Sequence, residues 1–105
     1  MESFKMVYIT AANEDEALRV GRELVDQKLA ACANILPRMK SVYRWKGEIR
    51  EDDEAVLIVK TAADRVAAVT NAVKAMHSYE CPCVVALVIE PGNAAYFDWL
   101  RESLE

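Results

Sequence analysis

The chain of 105 residues carries 17 acidic and 13 basic side chains, has a net charge of −4 and a pI near 5.0, and is 53% hydrophobic. This length predicts one domain, residues 1–105, and scattered, outnumbered basic residues argue against a nucleic-acid partner. No apolar run approaches the roughly 18 residues of a membrane span, and no basic leader precedes an apolar run at residues 1–5. Three cysteines, an odd number, argue against a secreted disulfide scaffold. We therefore expect a cytoplasmic protein with no membrane partner.

The first third of the chain predicts a strand, a helix and a second apolar strand. Residues 4–10 form a short run of β-branched and aromatic residues that is typical of a central strand. Asn13 can cap a helix at residues 14–28, because acidic residues fill its first turn and apolar residues recur at helical spacing. An apolar run follows at residues 30–36 and ends at Pro37.

Residues 40–50 alternate between apolar and charged side chains. Tyr43, Trp45 and Ile49 share one face of an extended chain, while charged residues occupy the other face. Lys46-Gly47 in the middle predicts a tight turn. The alternation therefore indicates a β-hairpin with an aromatic face.

The two arms of this hairpin, residues 30–45 and 48–61, are about equally long, which predicts one long ribbon bent near Pro37. Asp52-Asp53 is an alternative turn, or a bulge on the return arm. A ribbon of this length cannot pair along its whole length within one small sheet. Its free edges and exposed aromatic side chains need another chain to cover them. We therefore expect an oligomer.

The second half of the chain predicts a helix, a strand and a final helix. Asp64 can cap a helix with an apolar stripe, and residues 82–89 form a Val-rich strand that Pro91-Gly92 ends. Asn93 can cap the last helix. The stripe of the first of these helices consists of Val66, Val69, Val73 and Met76, and the last helix carries Tyr96, Trp99, Leu100 and Leu104. The order βαββαβ with an extra C-terminal helix predicts an α+β, ferredoxin-like fold with one antiparallel sheet.

Five blocks of sequence resemble the CutA family of divalent-cation tolerance proteins, in the order of that family. The blocks are A-C-x-N at residues 31–34, S-x-Y-x-W-x-G-x-I at 41–49, E-x-x-x-x-x-K-T at 54–61, H-x-Y-E-x-P at 77–82 and Y-x-x-W-L at 96–100. The resemblance implies a ferredoxin-like homotrimer, similar in plan to PII signal proteins, with hairpins paired across subunits and clefts between neighbours. It also implies a role in tolerance to divalent cations, above all copper, and implies no organic cofactor. A single histidine and the lack of a catalytic-triad, H-E-x-x-H or phosphate-loop pattern argue against an enzyme.

Cys81-Pro82-Cys83 departs from many members of that family, which carry aliphatic or acidic residues at the two cysteine positions. Thiolates and imidazoles suit copper and zinc, and positions i and i+2 of an extended chain share a face. The candidate ligands of copper or another divalent metal ion are His77, Cys81, Cys83 and Cys32. Alternatively, free cysteines pack as small hydrophobic residues, and His77 could cap the C-terminus of its helix.

Two further sets of residues belong to the expected trimer. We expect the inter-subunit cleft to be lined by Trp45, Glu54, Lys60 and Tyr79, and the trimer interface to contain Tyr43, Trp45 and Ile49. Lys60 could instead form an ion pair with Glu54.

Three other functions stay open on the sequence alone. One is an enzyme in which Cys32 and His77 meet as a nucleophilic pair. The second is a PII-like sensor that binds a small molecule in the cleft. The third is a scaffold that anchors another protein.

Overall fold

A computed structural model describes residues 3–105 and confirms the ferredoxin-like α+β fold. Three helices and four antiparallel strands are present in that range, in the sheet order β2-β3-β1-β4. In chain order they are β1 (Phe4–Ala11), α1 (Glu14–Asp26), β2 (Cys32–Trp45), β3 (Glu48–Ala62), α2 (Val66–Met76), β4 (Val84–Val88) and α3 (Ala94–Ser103). Within residues 3–105, no helix is both long and apolar enough to span a bilayer. The expectation about a leader falls partly on residues 1 and 2, which lie outside the described range.

Helix α1 begins as predicted and lies very close to the sheet. The Asn13 side chain accepts a hydrogen bond from the Glu16 backbone N–H at 2.8 Å, which satisfies one free donor of the first turn. A Cβ atom added to Gly21 would come within 2.9 Å of Leu57 Cδ1 and 3.0 Å of Ala33 Cβ, so a larger residue would force these neighbours to move. The helix ends two residues earlier than predicted, because Lys28 adopts a left-handed conformation with φ of 58°.

The main core lies between the sheet and helices α1 and α2. Val69 and Val73 of α2 are fully buried, as predicted, and the two outer members of the predicted stripe are partly buried. The sheet contributes Val7, Ile9, Leu57 and Val59, which are fully buried. The predicted cap at Asp64 is wrong, since this residue lies inside a 3₁₀ turn, Ala63–Arg65, and α2 begins without a side-chain cap.

Helix α3 forms a separate small cluster at the end of the sheet. Leu100 is fully buried there against Phe4 and Ala31. Because Phe4 and Val7 are an odd number of residues apart in β1, side-chain alternation places α3 on the other side of the sheet from α1 and α2. Trp99 on the same helix is 45% exposed, and its ring centroid lies 5.6 Å from that of Tyr96.

The hairpin β2–β3 is the longest feature of the fold, and it turns where the sequence predicted. Lys46 and Gly47 both have positive φ, 50° and 81°, as a type I′ turn requires. The alternative turn at Asp52-Asp53 is wrong, because these residues pair with Ser41 and Lys40 inside the ladder.

A β-bulge bends the outgoing arm of the hairpin near Pro37, as predicted. The register shifts between Leu36 and Met39, where proline offers no N–H to the ladder. The bulge therefore lies on β2 and not on the return arm.

Beyond this bend the hairpin extends past the rest of the sheet. Strand β1 pairs with β3 only as far as Ala11 opposite Ala55. Residues 39–54, which we call the distal hairpin, pair only with each other in the part of the chain that the structure describes. The molecule is accordingly elongated, with principal extents of 45 × 24 × 22 Å.

Strand β4 forms the opposite edge of the sheet and is shorter than the predicted 82–89. It pairs with β1 alone among residues 3–105, so its outer edge is free. Three of its side chains are at least 46% exposed, namely Val85, Leu87 and Val88. This edge and the distal hairpin are thus two apolar surfaces that a single chain leaves open.

Candidate functional site

A groove of about 560 Å³ lies between the distal hairpin and the segment that joins α2 to β4. The sequence had assigned five of its lining residues to a cleft or a metal site. These five, Trp45, Glu54, Tyr79, Cys81 and Cys83, define what we call the hairpin groove. The long hairpin supplies one wall because it continues past the sheet, and the loop after α2 supplies the other.

Tyr79 and Glu54 join the two walls of the groove. The Tyr79 hydroxyl donates a hydrogen bond of 2.8 Å to Glu54 Oε2. Burial raises the pKa of Tyr79 well above its ordinary value, and the hydrogen bond to the charged Glu54 raises it further. Tyr79 therefore remains a neutral donor at physiological pH and holds one oxygen of Glu54 in place.

Both groove thiols are free, but they differ in exposure. Cys81 is exposed, whereas Cys83 is half-buried. Burial raises the pKa of the Cys83 thiol, and the charge of Glu54 adds to this effect, while hydrogen bonding to Thr10 opposes it. The groove thus offers one thiol at its mouth and one deeper inside.

His77 lies behind the groove with a side chain that is 0% exposed. Its Nε2 donates to the Thr10 carbonyl oxygen at 2.7 Å, and its Nδ1 accepts the backbone N–H of Tyr79 at 3.0 Å. A carbonyl can only accept and a backbone N–H can only donate, so Nε2 is the donor of the first bond and Nδ1 the acceptor of the second. Both nitrogens are engaged, so the ring neither caps its helix nor offers a free metal ligand, and it ties the groove loop to β1.

Glu16 is a supporting residue that the sequence analysis missed. One carboxylate oxygen accepts the backbone N–H of Ala12 and the other accepts that of Ser78, both at 3.0 Å. Burial alone would raise the pKa of Glu16, but these hydrogen bonds outweigh it, and the pKa is lowered. Asn13 followed three residues later by Glu16 is the spacing of a capping box, which was the available sequence signal. The capping-box spacing does not predict the hydrogen bond from the distant Ser78.

Lys60 and Cys32 lie away from the hairpin groove. Lys60 Nζ donates to the Tyr96 hydroxyl at 3.2 Å and to Asn34 Oδ1 at 3.4 Å, and the hydrogen bond to Tyr96 raises the pKa of Lys60. Cys32 Sγ lies 3.7 Å from the same hydroxyl. Lys60 is six residues from Glu54 along β3, so the Cα atoms of the two residues are roughly 20 Å apart. Lys60 therefore neither lines the groove nor pairs with Glu54.

The four predicted metal ligands do not come together. Cys81 and Cys83 share the groove, His77 is committed to backbone groups, and Cys32 is at the Tyr96 end of the sheet. In residues 3–105, no three side chains of His, Cys, Asp or Glu are grouped so that they could hold a metal ion. The rival pairing of Cys32 with His77 is not formed either, because the two side chains contact different ends of the sheet.

The predicted interface residues all lie on the distal hairpin and are exposed. Tyr43, Trp45 and Ile49 are 38%, 41% and 66% exposed, and the neighbouring Val42 is 68% exposed. The Tyr43 hydroxyl donates a hydrogen bond to the Asp52 carboxylate across the ladder. The prediction that Tyr43, Trp45 and Ile49 share one face is wrong, because the register pairs Ile49 with Arg44 and not with a residue on the Trp45 face. Tyr43 and Trp45 therefore lie on one face of the ribbon, and Ile49 and Val42 lie on the other.

Comparison with known proteins relates this arrangement to one family. A family model described as "CutA1 divalent ion tolerance protein" matches residues 5–103. The divalent-cation tolerance protein CutA of Thermus thermophilus is 46% identical over 99 residues, which cover 94% of this chain and 96% of that relative. The human protein CutA is 40% identical over 103 residues, which cover 98% of this chain but only 58% of the relative. A solved structure from Archaeoglobus fulgidus, described as a periplasmic divalent cation tolerance protein CutA, superposes with a TM-score of 0.94 at 43% identity, covering 97% of this chain and 99% of that one.

Proposed function

The chain belongs to the CutA1 divalent ion tolerance protein family, and on that basis we propose that it acts as a cytoplasmic homotrimer that binds copper or a related divalent cation in its hairpin grooves. Its role is to take up the ion, and it does not catalyse a reaction. The observation that carries this proposal is the distal hairpin, which forms one wall of the groove and exposes both its edges and an apolar face.

The exposed surfaces of one chain support assembly into a ring. Val42 and Ile49 share one face of the distal hairpin, and Trp45 is exposed on its other face; Val85 and Leu87 share one face of β4. Burying such surface stabilises an assembly by about 25 cal/mol for each Å² removed from water. A contact between two different surfaces repeats head to tail, and it closes as a ring when the rotation between neighbours permits. Three copies form the ring that we propose.

A carboxylate and two thiols of one chain line the groove, although within residues 3–105 they are not grouped as a three-ligand site. Glu54 is oriented by Tyr79, and Cys81 and Cys83 lie along the same surface. A divalent ion held here completes its coordination with water or with groups of the neighbouring copy that covers the distal hairpin. The formation of the ring and the affinity for cations are therefore coupled.

A small-molecule sensor is a second candidate, which the size of the groove favours. Its volume of about 560 Å³ lies within the range of roughly 300–1,000 Å³ that is typical of ligand pockets. Trp45 supplies a flat apolar wall, and Glu54 and Tyr79 supply polar groups. Thermal melting against a panel of metabolites and a panel of metals separates the two candidates, because only the true class of ligand raises the melting temperature at low concentration.

Native mass spectrometry of the full chain, with and without added Cu²⁺, tests the proposal. We expect the mass of three chains and further mass steps of bound copper. Trp45→Ala should shift the population toward smaller species, whereas Trp99→Ala, which removes an exposed tryptophan from α3, should leave three chains together. A folded single chain, or a three-chain species that binds no divalent cation, would contradict the proposal.

A further inference from the structure

The two thiols of Cys81-Pro82-Cys83 lie outside the packed core, and Cys83 makes its hydrogen bond to Thr10. Neither residue is part of the two core clusters among the described residues, which are built from aliphatic and aromatic side chains. Both thiols are free, and both line the hairpin groove. Packing, the usual reason for an unpaired cysteine, therefore does not account for this pair.

The number and kind of ligands in the groove restrict which ion they can hold. Calcium takes six to eight oxygen ligands, and structural zinc takes four ligands in a tetrahedron. One chain offers two thiols that line the same groove, and no third His, Cys, Asp or Glu is grouped with them in residues 3–105. Thiolate ligands select soft ions such as Cu(I). Cu(I) has a filled d shell and a single positive charge, and two thiolate ligands are enough to bind it. The two thiols by themselves therefore suffice for a soft monovalent ion, whereas a divalent ion in the groove needs further ligands from water or a neighbouring copy.

Charges of both signs line the groove, namely Arg50 and the carboxylates of Glu54 and Glu80. Two thiolates and one monovalent cation carry a net charge of −1. Arg50 lines the same groove, and its guanidinium group remains positive at every physiological pH. Arg50 therefore offsets this charge, while Glu54 is held on the wall by its hydrogen bond to Tyr79.

We propose that Cys81 and Cys83 form a two-thiolate site for Cu(I) in the hairpin groove. This inference rests on the proposed role in binding cations and gives that role a specific ion and two specific ligands. Two copper–sulfur bonds form, the two thiol protons pass to solvent, and no electron is transferred, because the metal enters as Cu(I). The exposed Cys81 receives the ion at the mouth, and the half-buried Cys83 completes the pair.

The test is an anaerobic competition for Cu(I) between the full-length protein and a chromophoric Cu(I) chelator. We expect the protein to withdraw one Cu(I) per chain. Loss of a supporting group around a metal site typically costs roughly 10–100-fold in affinity, so loss of a direct ligand in Cys81→Ser or Cys83→Ser should cost at least about 100-fold. Cys32→Ser is the matched control, since its thiol lies at the Tyr96 end of the sheet, and it should bind as the unmodified protein does.

A parallel titration with Cu²⁺ or Zn²⁺ separates failure of this inference from failure of the proposed function. If the double variant Cys81→Ser/Cys83→Ser keeps the full Cu(I) affinity, or if Cys32→Ser alone abolishes it, the two-thiolate site is wrong. If the unmodified protein binds divalent ions but no Cu(I), the two-thiolate site is wrong and the proposed function stands. If it binds neither, both are wrong. Circular dichroism of each variant identifies any that fails to fold, and Cys81→Ala then replaces it.

Discussion

Replacing Glu16 with glutamine tests whether one buried carboxylate holds the groove loop in place. The side chain of Glu16 is 8% exposed and accepts backbone hydrogen bonds from Ala12 and Ser78, one on each oxygen. Glutamine has the same shape but only one oxygen, so one of these two N–H groups loses its acceptor. A hydrogen bond to a charged group contributes about 1.5–3 kcal/mol. We therefore expect Glu16→Gln to lower the free energy of unfolding by about 2 kcal/mol at pH 7.

The dependence of this loss on pH identifies its cause. The pKa of Glu16 is lowered in the folded protein, so its stabilising effect is complete above the ordinary unfolded value of about 4.3. The effect disappears as the pH falls from there through the folded pKa, because the carboxyl group then takes up a proton in both states. The difference between Glu16→Gln and the unmodified protein should accordingly be constant near neutral pH and shrink in acid.

Urea unfolding at one fixed protein concentration, followed by circular dichroism at several pH values, measures both effects. Glu14→Gln is the matched control, since this first-turn carboxylate is exposed and should cost less than about 1 kcal/mol through its interaction with the helix dipole. An equal loss for the two variants at pH 7, or a Glu16→Gln deficit that persists unchanged in acid, would refute the assigned hydrogen bonds.

Three further variants test other parts of the fold. Gly21→Ala should lower the free energy of unfolding by about 1–3 kcal/mol, because its Cβ would lie 2.9 Å from Leu57 Cδ1; an unchanged urea midpoint would argue against the close helix–sheet contact. Gly47→Ala should lower the free energy of unfolding by about 1–2 kcal/mol, because alanine is strained at the positive φ of this position. Gly92→Ala is the control, since a Cβ atom at either glycine meets open space, and it should be nearly neutral. Equal losses for the two variants would contradict the type I′ turn. Tyr79→Phe should cost about 1.5–3 kcal/mol by removing the bond across the groove, and a variant with unchanged stability would show that this bond contributes nothing.

The sequence predicted most of the fold because the relevant signals are local. Alternation around Lys46-Gly47 indicated the hairpin, and glycine in this pair allows the positive φ of its turn. Pro37 indicated the bend, because proline has no backbone N–H to offer to the ladder. The cap at Asp64 was wrong because the chain enters α2 through a 3₁₀ turn. An aspartate occurs both as a helix N-cap and inside a 3₁₀ turn, so the residue type alone does not distinguish the two.

The candidate site was predicted in part, and the errors concern residues whose partners are distant in sequence. Motif positions placed Trp45 and Tyr79 in a cleft, and the groove contains both. Lys60 lies outside the hairpin groove of one chain, because the register of β3 puts it at the other end of the sheet, and its place in an inter-subunit cleft stays a prediction. The commitment of His77 to the Thr10 carbonyl depends on how the loop after α2 folds back over β1, and no local pattern reports that.

The central claim is that partner chains cover the distal hairpin. Sedimentation equilibrium of the unmodified protein at micromolar concentration measures this directly, since the chain mass is 11.8 kDa. The account predicts a single species of three times that mass. A folded species with the mass of one chain would contradict it, because the apolar ribbon would then be stable in water on its own.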